Sequence, residues 1–496
     1  MSPRGTDVRF YPPPLGGVIK DKPEHLVPQG YLTNGYNVYA SNGSLAIRSG
    51  YTQFASASPG SRIMGGGYFK TSGGADRIVV GSLSGLYRYS AASNIFKGLT
   101  TVGSRFSGTL SNQINFAVFR ESDSFRIIST NDTNFLRTWD GIATTETRLP
   151  TGDFSTAKDI CVAANRVIAA NIKIGARRYA HRLRISDFNT ASSWDSSLVV
   201  DLSDTPGEIV GVETLTRTSF AIYKEDSKWL GIAQGGVYPF RFEMVDRRPG
   251  AVSPRAIVPA EDGHYYMGND LSFYLFNSTV TKEIGQQITQ HIKDNINWSY
   301  LKIIHGAIDS KKKKIWWFYP GAGQTTCNLA VSYNYVSKEW QTHAFANNFA
   351  AAFPARNCSG GVWTEETVVI AGDEDGNTAK WNNAVGDGAA SVKASFTFPL
   401  TTADDLKHDI RLDGLDVFFN QTTAAVNMNV SFGITDSLAS ITYGESSAVD
   451  LSVDERHLVT LSNAEGRFAT TRHSFSASEP VKFLGAVLFY NMKGLI

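Results

Sequence analysis

Nine histidines, at His25, His181, His264, His291, His305, His343, His408, His457 and His473, are the first residues to test for chemistry. None stands in an HExxH or similar spacing that converges on a metal. No GxSxG elbow, GxxxxGK[ST] phosphate loop or strand-borne GxGxxG occurs, so nucleophilic hydrolysis and nucleotide chemistry have no local signature. Gly372-Asp373-Glu374-Asp375-Gly376-Asn377 resembles a calcium loop, but it lacks the alternating third ligand and the distant Glu of an EF-hand ring, and a strand-to-strand turn is expected instead. Constellations assembled from distant loops, as in glycosidases, leave no such trace. The expectation is no catalytic, metal-ligating or cofactor-binding residue, no cofactor and no enzymatic activity.

One basic run remains. Asp309-Ser310 leads into Lys311, Lys312, Lys313 and Lys314, ahead of the strand segment Ile315 to Tyr319. The run is expected to be a solvated hairpin tip; the functional reading is that, repeated around a ring of subunits, it lines a path for nucleic acid. No interleaved aromatics offer base stacking. Over the whole chain 47 basic residues face 46 acidic ones, a net charge of +1, which argues against gripping nucleic acid or an anionic membrane through net charge.

Cys161, Cys327 and Cys358 are too few, too far apart and odd in number for a disulfide scaffold, so a reducing compartment such as the cytosol is expected for folding. No segment approaches the ~20 apolar residues of a membrane span, and Met1 to Pro14 has polar residues and prolines where a secretory signal needs an apolar centre.

The elements that must position any site are strands. Short aromatic-rich segments punctuated by Gly, Asn and Asp recur at roughly 40-residue spacing between Tyr68 and Trp381, the period of a β-propeller. They include Leu86 to Tyr89, Phe135 to Trp139, Leu183 to Ser186, Ser227 to Leu230, Leu271 to Phe276, Lys314 to Tyr319 and Ala379 to Trp381. A small sheet cannot bury its apolar face alone, so such units stack around an axis. Trp139-Asp140 and Trp194-Asp195 lack the upstream Gly-His of WD40 blades, and sialidase boxes are absent.

The fold class expected is all-β: a propeller of about six to seven blades over residues 51–385, with an inserted amphipathic helix and a C-terminal β-sandwich over 386–496. The helix is read from Ile284, Ile288, Ile292 and Ile296, a stripe on about four turns from Thr281 to Leu301 that is expected to pack within its own chain. Residues 1–50 are expected to hold an extended arm, Met1 to Pro28, too rich in Pro and Gly for regular structure and laid on something else. Its candidate assembly residues are Tyr11, Pro12, Pro13, Pro14 and Leu15. An entry hairpin follows, turning at Ser41-Asn42-Gly43.

Several segments, in order, resemble the tail nozzle, or tail tubular protein B-like, proteins of short-tailed bacteriophages. Leu15-Gly16-Gly17-Val18 leads into Tyr36-Asn37-Val38-Tyr39-Ala40-Ser41-Asn42-Gly43-Ser44-Leu45-Ala46-Ile47-Arg48-Ser49-Gly50-Tyr51, similar to that family's "N-x-x-x-x-x-G-x-L-x-x-R-x-G" hairpin, although the glutamine-rich continuation of some members is missing. Arg182 to Asp187 ahead of Trp194, Asp262 to Met267 ahead of Phe273, and Tyr333-Asn334-Tyr335 ahead of Trp340 extend the likeness over the first four-fifths of the chain. The resemblance implies a structural virion protein, made in the host cytoplasm, that forms a homohexameric ring below the portal and adaptor. It also implies contacts with adaptor and distal needle or fibre proteins, and viral DNA leaving through a channel without sequence-specific binding.

Two other readings stand beside it. One is a propeller hydrolase or lyase acting on glycans, with the sandwich as a carbohydrate module; the other is a baseplate or receptor-binding phage protein. An enzyme requires convergent carboxylates in one pocket with perturbed pKa values, and a nozzle requires a ring with a lumen.

Overall fold

A computed structural model describes residues 7–100, 106–402, 408–436 and 441–495. The chain divides into two compact units, one of residues 53–330 and 347–381, the other of 1–52, 331–346 and 382–496.

The first unit is a β-propeller. Six four-stranded antiparallel sheets are its blades. Five are consecutive in sequence, with inner strands Ile63–Lys70, Asn115–Glu121, Thr156–Ala163, Ile209–Thr216 and Ile257–Ala260. The hairpin of His305–Asp309 and Lys314–Tyr319 occupies a further position, its first strand between those of Ile257–Ala260 and Phe349–Ser359. The last sheet contains Phe349–Ser359, Val362–Asp373 and Thr378–Ala384.

Blade stacking explains why Ile78-Val79-Val80 is an unbroken apolar run rather than an alternating one. Ile78 and Val80 pack with Phe353 and Ile370 of the last blade, and Val79 packs with Ile127 and Trp139 of the second. Both faces are covered, so all three side chains are fully buried, each burial being worth about 1.5–3 kcal/mol.

The expected long helix is much shorter. Thr281–Glu283 is the outer strand of the fifth blade, the α-helix covers only Thr289–Asn295, and a 3-10 segment spans Trp298–Ile303. The Ile284 N–H is donated to Phe273 O at 2.8 Å, and Gly285 sits where a Cβ would lie 2.7 Å from the Phe273 nitrogen, so helix cannot begin until the chain clears the blade. Ile288, Ile292 and Ile296 are nevertheless buried, as the stripe requires.

The second unit is a β-sandwich. One sheet pairs Val38–Ser41, Ser44–Ile47, Lys482–Leu495, His408–Phe419 and Arg456–Gly466 in that order, with Asp7–Tyr11 also on Lys482–Leu495. Within this unit the facing sheet contains Trp340–Ala344, Asn34–Tyr36, Val392–Thr397, Phe468–Ala477, Asn427–Thr435 and Thr442–Asp450. Phe396, Phe419, Met428, Phe475, Phe483 and Leu488 fill the space between them. The sandwich thus draws on more than 386–496: the entry hairpin and part of the arm supply strands, because Leu45 pairs with Phe483 and Tyr11 with Ala486.

Candidate functional site at the propeller axis

The inner strands approach one another closely because glycine stands where they meet. A Cβ on Gly65 would come within 2.0 Å of Ile114 O, and one on Gly66 within 2.0 Å of the Phe353 ring. Arg255, just ahead of the fifth blade, reaches into this region and donates from Nη1 to Ile114 O at 2.9 Å and from Nη2 to Ala352 O at 3.0 Å. One guanidinium therefore ties together segments of three blades.

Two carboxyl groups line the same axial cavity of about 180 Å³. Asp159 accepts the Ile160 N–H at 2.9 Å and, across to the fourth blade, the Val212 N–H at 2.8 Å. Burial pushes its carboxyl up to about 7, against the opposing pull of those amides, Arg255 and Lys158. Glu213 accepts the Thr214 N–H at 2.9 Å, and burial together with the Asp159 charge pushes it up to about 8. Burial draws the Arg255 guanidinium down to about 10.

A larger cavity, about 380 Å³, is lined by the loops that precede several inner strands. Its charged groups are largely compensated: Lys158 Nζ donates to Glu208 at 2.7 Å, and Asp132 is paired with Arg178. Glu225, Asp226 and Lys302 also line it, with serine, asparagine and glutamine side chains and apolar residues such as Val210, Ala251 and Pro254.

The four expected lysines do not form one basic surface. Lys311 pairs with Glu366, Lys313 holds φ +55° in the turn, and Lys314 is buried in its strand. Burial draws the Lys312 ammonium down to about 8. The solvated-tip reading is thus corrected for Lys314, which the strand pattern carries inward. The acidic run is a turn: Asp373 Oδ1 accepts from Asp375 N at 3.0 Å and Asn377 N at 2.7 Å, and Glu374 pairs with Arg62. Among the described residues no group of three or more His, Cys, Asp or Glu is placed to hold a metal.

The arm is not laid on something else over its described length. Asp7–Tyr11 is an antiparallel strand on Lys482–Leu495, Tyr11 and Pro14 are buried, Pro13 is half-buried, and Pro12 and Leu15 are exposed. Gly16 N donates to Gly30 O at 2.8 Å, and Val18 N to Trp340 O at 2.9 Å. Residues 1–6 of the arm lie outside the described residues.

The entry motif is tied together in the sandwich unit. Asn37 adopts φ +59°, its Oδ1 accepts Arg48 Nε at 2.8 Å, and Arg48 forms an ion pair with Asp387. Gly50 is required sterically, because a Cβ there would fall 1.8 Å from Gly386 O. Sequence reasoning missed Asp159, Glu213 and Arg255. The signal for the first two was a lone acid inside an otherwise buried strand, at Lys158-Asp159-Ile160-Cys161 and Val210-Gly211-Val212-Glu213.

Fold and axis define a β-propeller protein that also carries a β-sandwich. No family model matches the chain, and no curated protein does. Among solved structures it is similar to the crystal structure of the computationally designed Ika8 protein, at 10% identity and a TM-score of 0.40, over 66% of this chain and 99% of that one.

Proposed function

We propose that the chain is a structural virion protein, a nozzle-type subunit of a short bacteriophage tail that assembles with copies of itself into a homohexameric ring and contacts adaptor and distal tail proteins. The observation that carries this reading is the entry motif. Asn37, Arg48 and Gly50, the positions on which the resemblance rests, are the ones with structural work: a positive φ, a buried ion pair and a backbone approach that excludes any side chain. Each of these residues serves the fold of the sandwich unit, as expected of a structural protein rather than of an active site. In this reading the genome passes between subunits, because an axis occupied by Arg255 and a 180 Å³ cavity cannot admit a duplex.

A glycan-active propeller is the second reading, and the Asp159–Glu213 pair favours it, since raised carboxyl groups in one cavity suit an acid catalyst. Size decides against it. Ligand sites occupy roughly 300–1,000 Å³, the axial cavity falls below that range, and both Asp159 oxygens are already engaged by backbone amides.

Particle images of tails with this protein labelled, together with native mass measurement of the assembled form, test the proposal. A six-fold ring around the DNA path is expected. A peripheral position on the tail, or turnover of a polysaccharide that disappears in Glu213→Gln, would sink it.

A further inference from the structure

We propose that Glu213 holds a proton beside the Asp159 carboxylate in the axial cavity, making the propeller axis a proton-binding centre that holds the third and fourth blades together. Charge counting leads there. Two carboxyl groups and one guanidinium line the cavity, the nearby Lys158 is already paired with Glu208, and the terminal nitrogens of the guanidinium donate to Ile114 O and Ala352 O. Two carboxylates would leave one negative charge without a paired cation on the cavity wall. One proton restores neutrality.

The hydrogen bonds assign it to Glu213: Asp159 receives two backbone N–H groups, which suits an anion, whereas Glu213 receives one. The groups facing the pair are Arg255 from the segment before the fifth blade, Lys158 beside Asp159, Cys161 on the same strand, and Tyr223 on the strand following Glu213. Among them the cations, Arg255 and Lys158, act on Asp159. Raising the pH releases the proton to solvent and leaves two anions on adjacent inner strands. Because Glu213 keeps its proton above the ordinary carboxyl range, its stabilising contribution is complete below about pH 4.5, declines as the pH rises, and is gone above about 8.

Two measurements on the full-length protein test this. Infrared spectra at pH 6.5 are expected to show a protonated-carboxyl band that Glu213→Gln removes. Hydrogen exchange of Thr156–Ala163 and Ile209–Thr216, corrected for intrinsic rates, is expected to show an opening constant that rises up to about tenfold per pH unit between pH 5 and 8 relative to Glu213→Gln. An unchanged band and an unchanged pH slope in that variant overturn the proposal. Should Glu213→Gln not fold, Asp159→Asn serves: loss of the neighbouring anion is expected to move disappearance of the band to lower pH, and an unmoved band overturns the proposal equally.

Discussion

Arg48 and Asp387 form a two-pronged ion pair inside the sandwich unit, Nη1 to Oδ1 at 2.7 Å and Nη2 to Oδ2 at 2.5 Å, with side chains 2% and 5% exposed. Removing one partner strands the other charge away from water. Asp387→Ala is therefore expected to destabilise the sandwich by about 3–5 kcal/mol, and replacing both residues with apolar ones of similar volume to cost much less. Denaturant unfolding of the two variants checks this; equal losses would mean that the pair's own attraction, and not the orphaned charge, dominates.

Three buried histidines make the protein acid-sensitive. Burial holds His264 down at about 4 and His305 and His473 at about 3, so each stays neutral in the folded chain while its unfolded counterpart takes up a proton below about 6.5. Folded values below unfolded ones mean stability that is present above about 6.5 and lost as the pH falls towards 4. Each histidine contributes up to about a tenfold change in the unfolding constant per pH unit. His473 stacks on Phe396 at 4.6 Å in the sandwich, so His473→Phe should flatten the acid response of that unit and leave the propeller's unchanged. Exchange protection followed from pH 7 to 4 reads both.

Gly66 is one of two adjacent exacting positions on the inner ring, with Gly65. Gly66→Ala places a methyl group within 2.0 Å of Phe353, and the overpacking is expected to cost about 1–3 kcal/mol. The same substitution at Gly235, which has open space around it, should change stability by less than about 1 kcal/mol. Comparison of the two melting temperatures is the check.

Val8 and Phe10 are 56% and 60% exposed on a strand whose Tyr11 is buried. Val8→Ser with Phe10→Ser is expected to leave the isolated chain within about 0.5 kcal/mol of its original stability. In the proposed ring, the same variant tests whether the arm meets a neighbour: lost incorporation into tails with intact folding supports that contact, and normal incorporation refutes it.

Much of the architecture was legible because it rests on periodic burial. The two central strands of the first blade and the turn between them follow from Arg77 to Tyr89 alone, where an apolar run, a Ser84-Gly85 turn and an aromatic segment succeed one another. The helix was overestimated because a stripe of isoleucines every fourth residue also suits a strand end, a short helix and a 3-10 turn in succession. Its limits are set by the Ile284 to Phe273 hydrogen bond, which no local pattern encodes. The arm was misread for a related reason: Pro12 to Pro14 obscured the five-residue strand before them, whose partner lies at the far end of the sequence. Arg255, Asp159 and Glu213 meet only once the ring is closed, so their spacing in sequence carries no sign of their proximity.

The pairing of Asp7–Tyr11 and of Leu45 with the strand Lys482–Leu495 fixes the order of events during synthesis. Asp7–Tyr11 leaves the ribosome with no partner strand, and the hairpin of Val38–Ser41 and Ser44–Ile47 keeps one edge exposed while the intervening blades are made, since long-range pairing must wait for its partner. The blades, built from neighbouring hairpins, are free to fold as they emerge. Completion of the sandwich is thus a report that translation has passed Lys482–Leu495, and a chain cut short before Lys482 carries unsealed edges that favour aggregation or degradation over entry into an assembly.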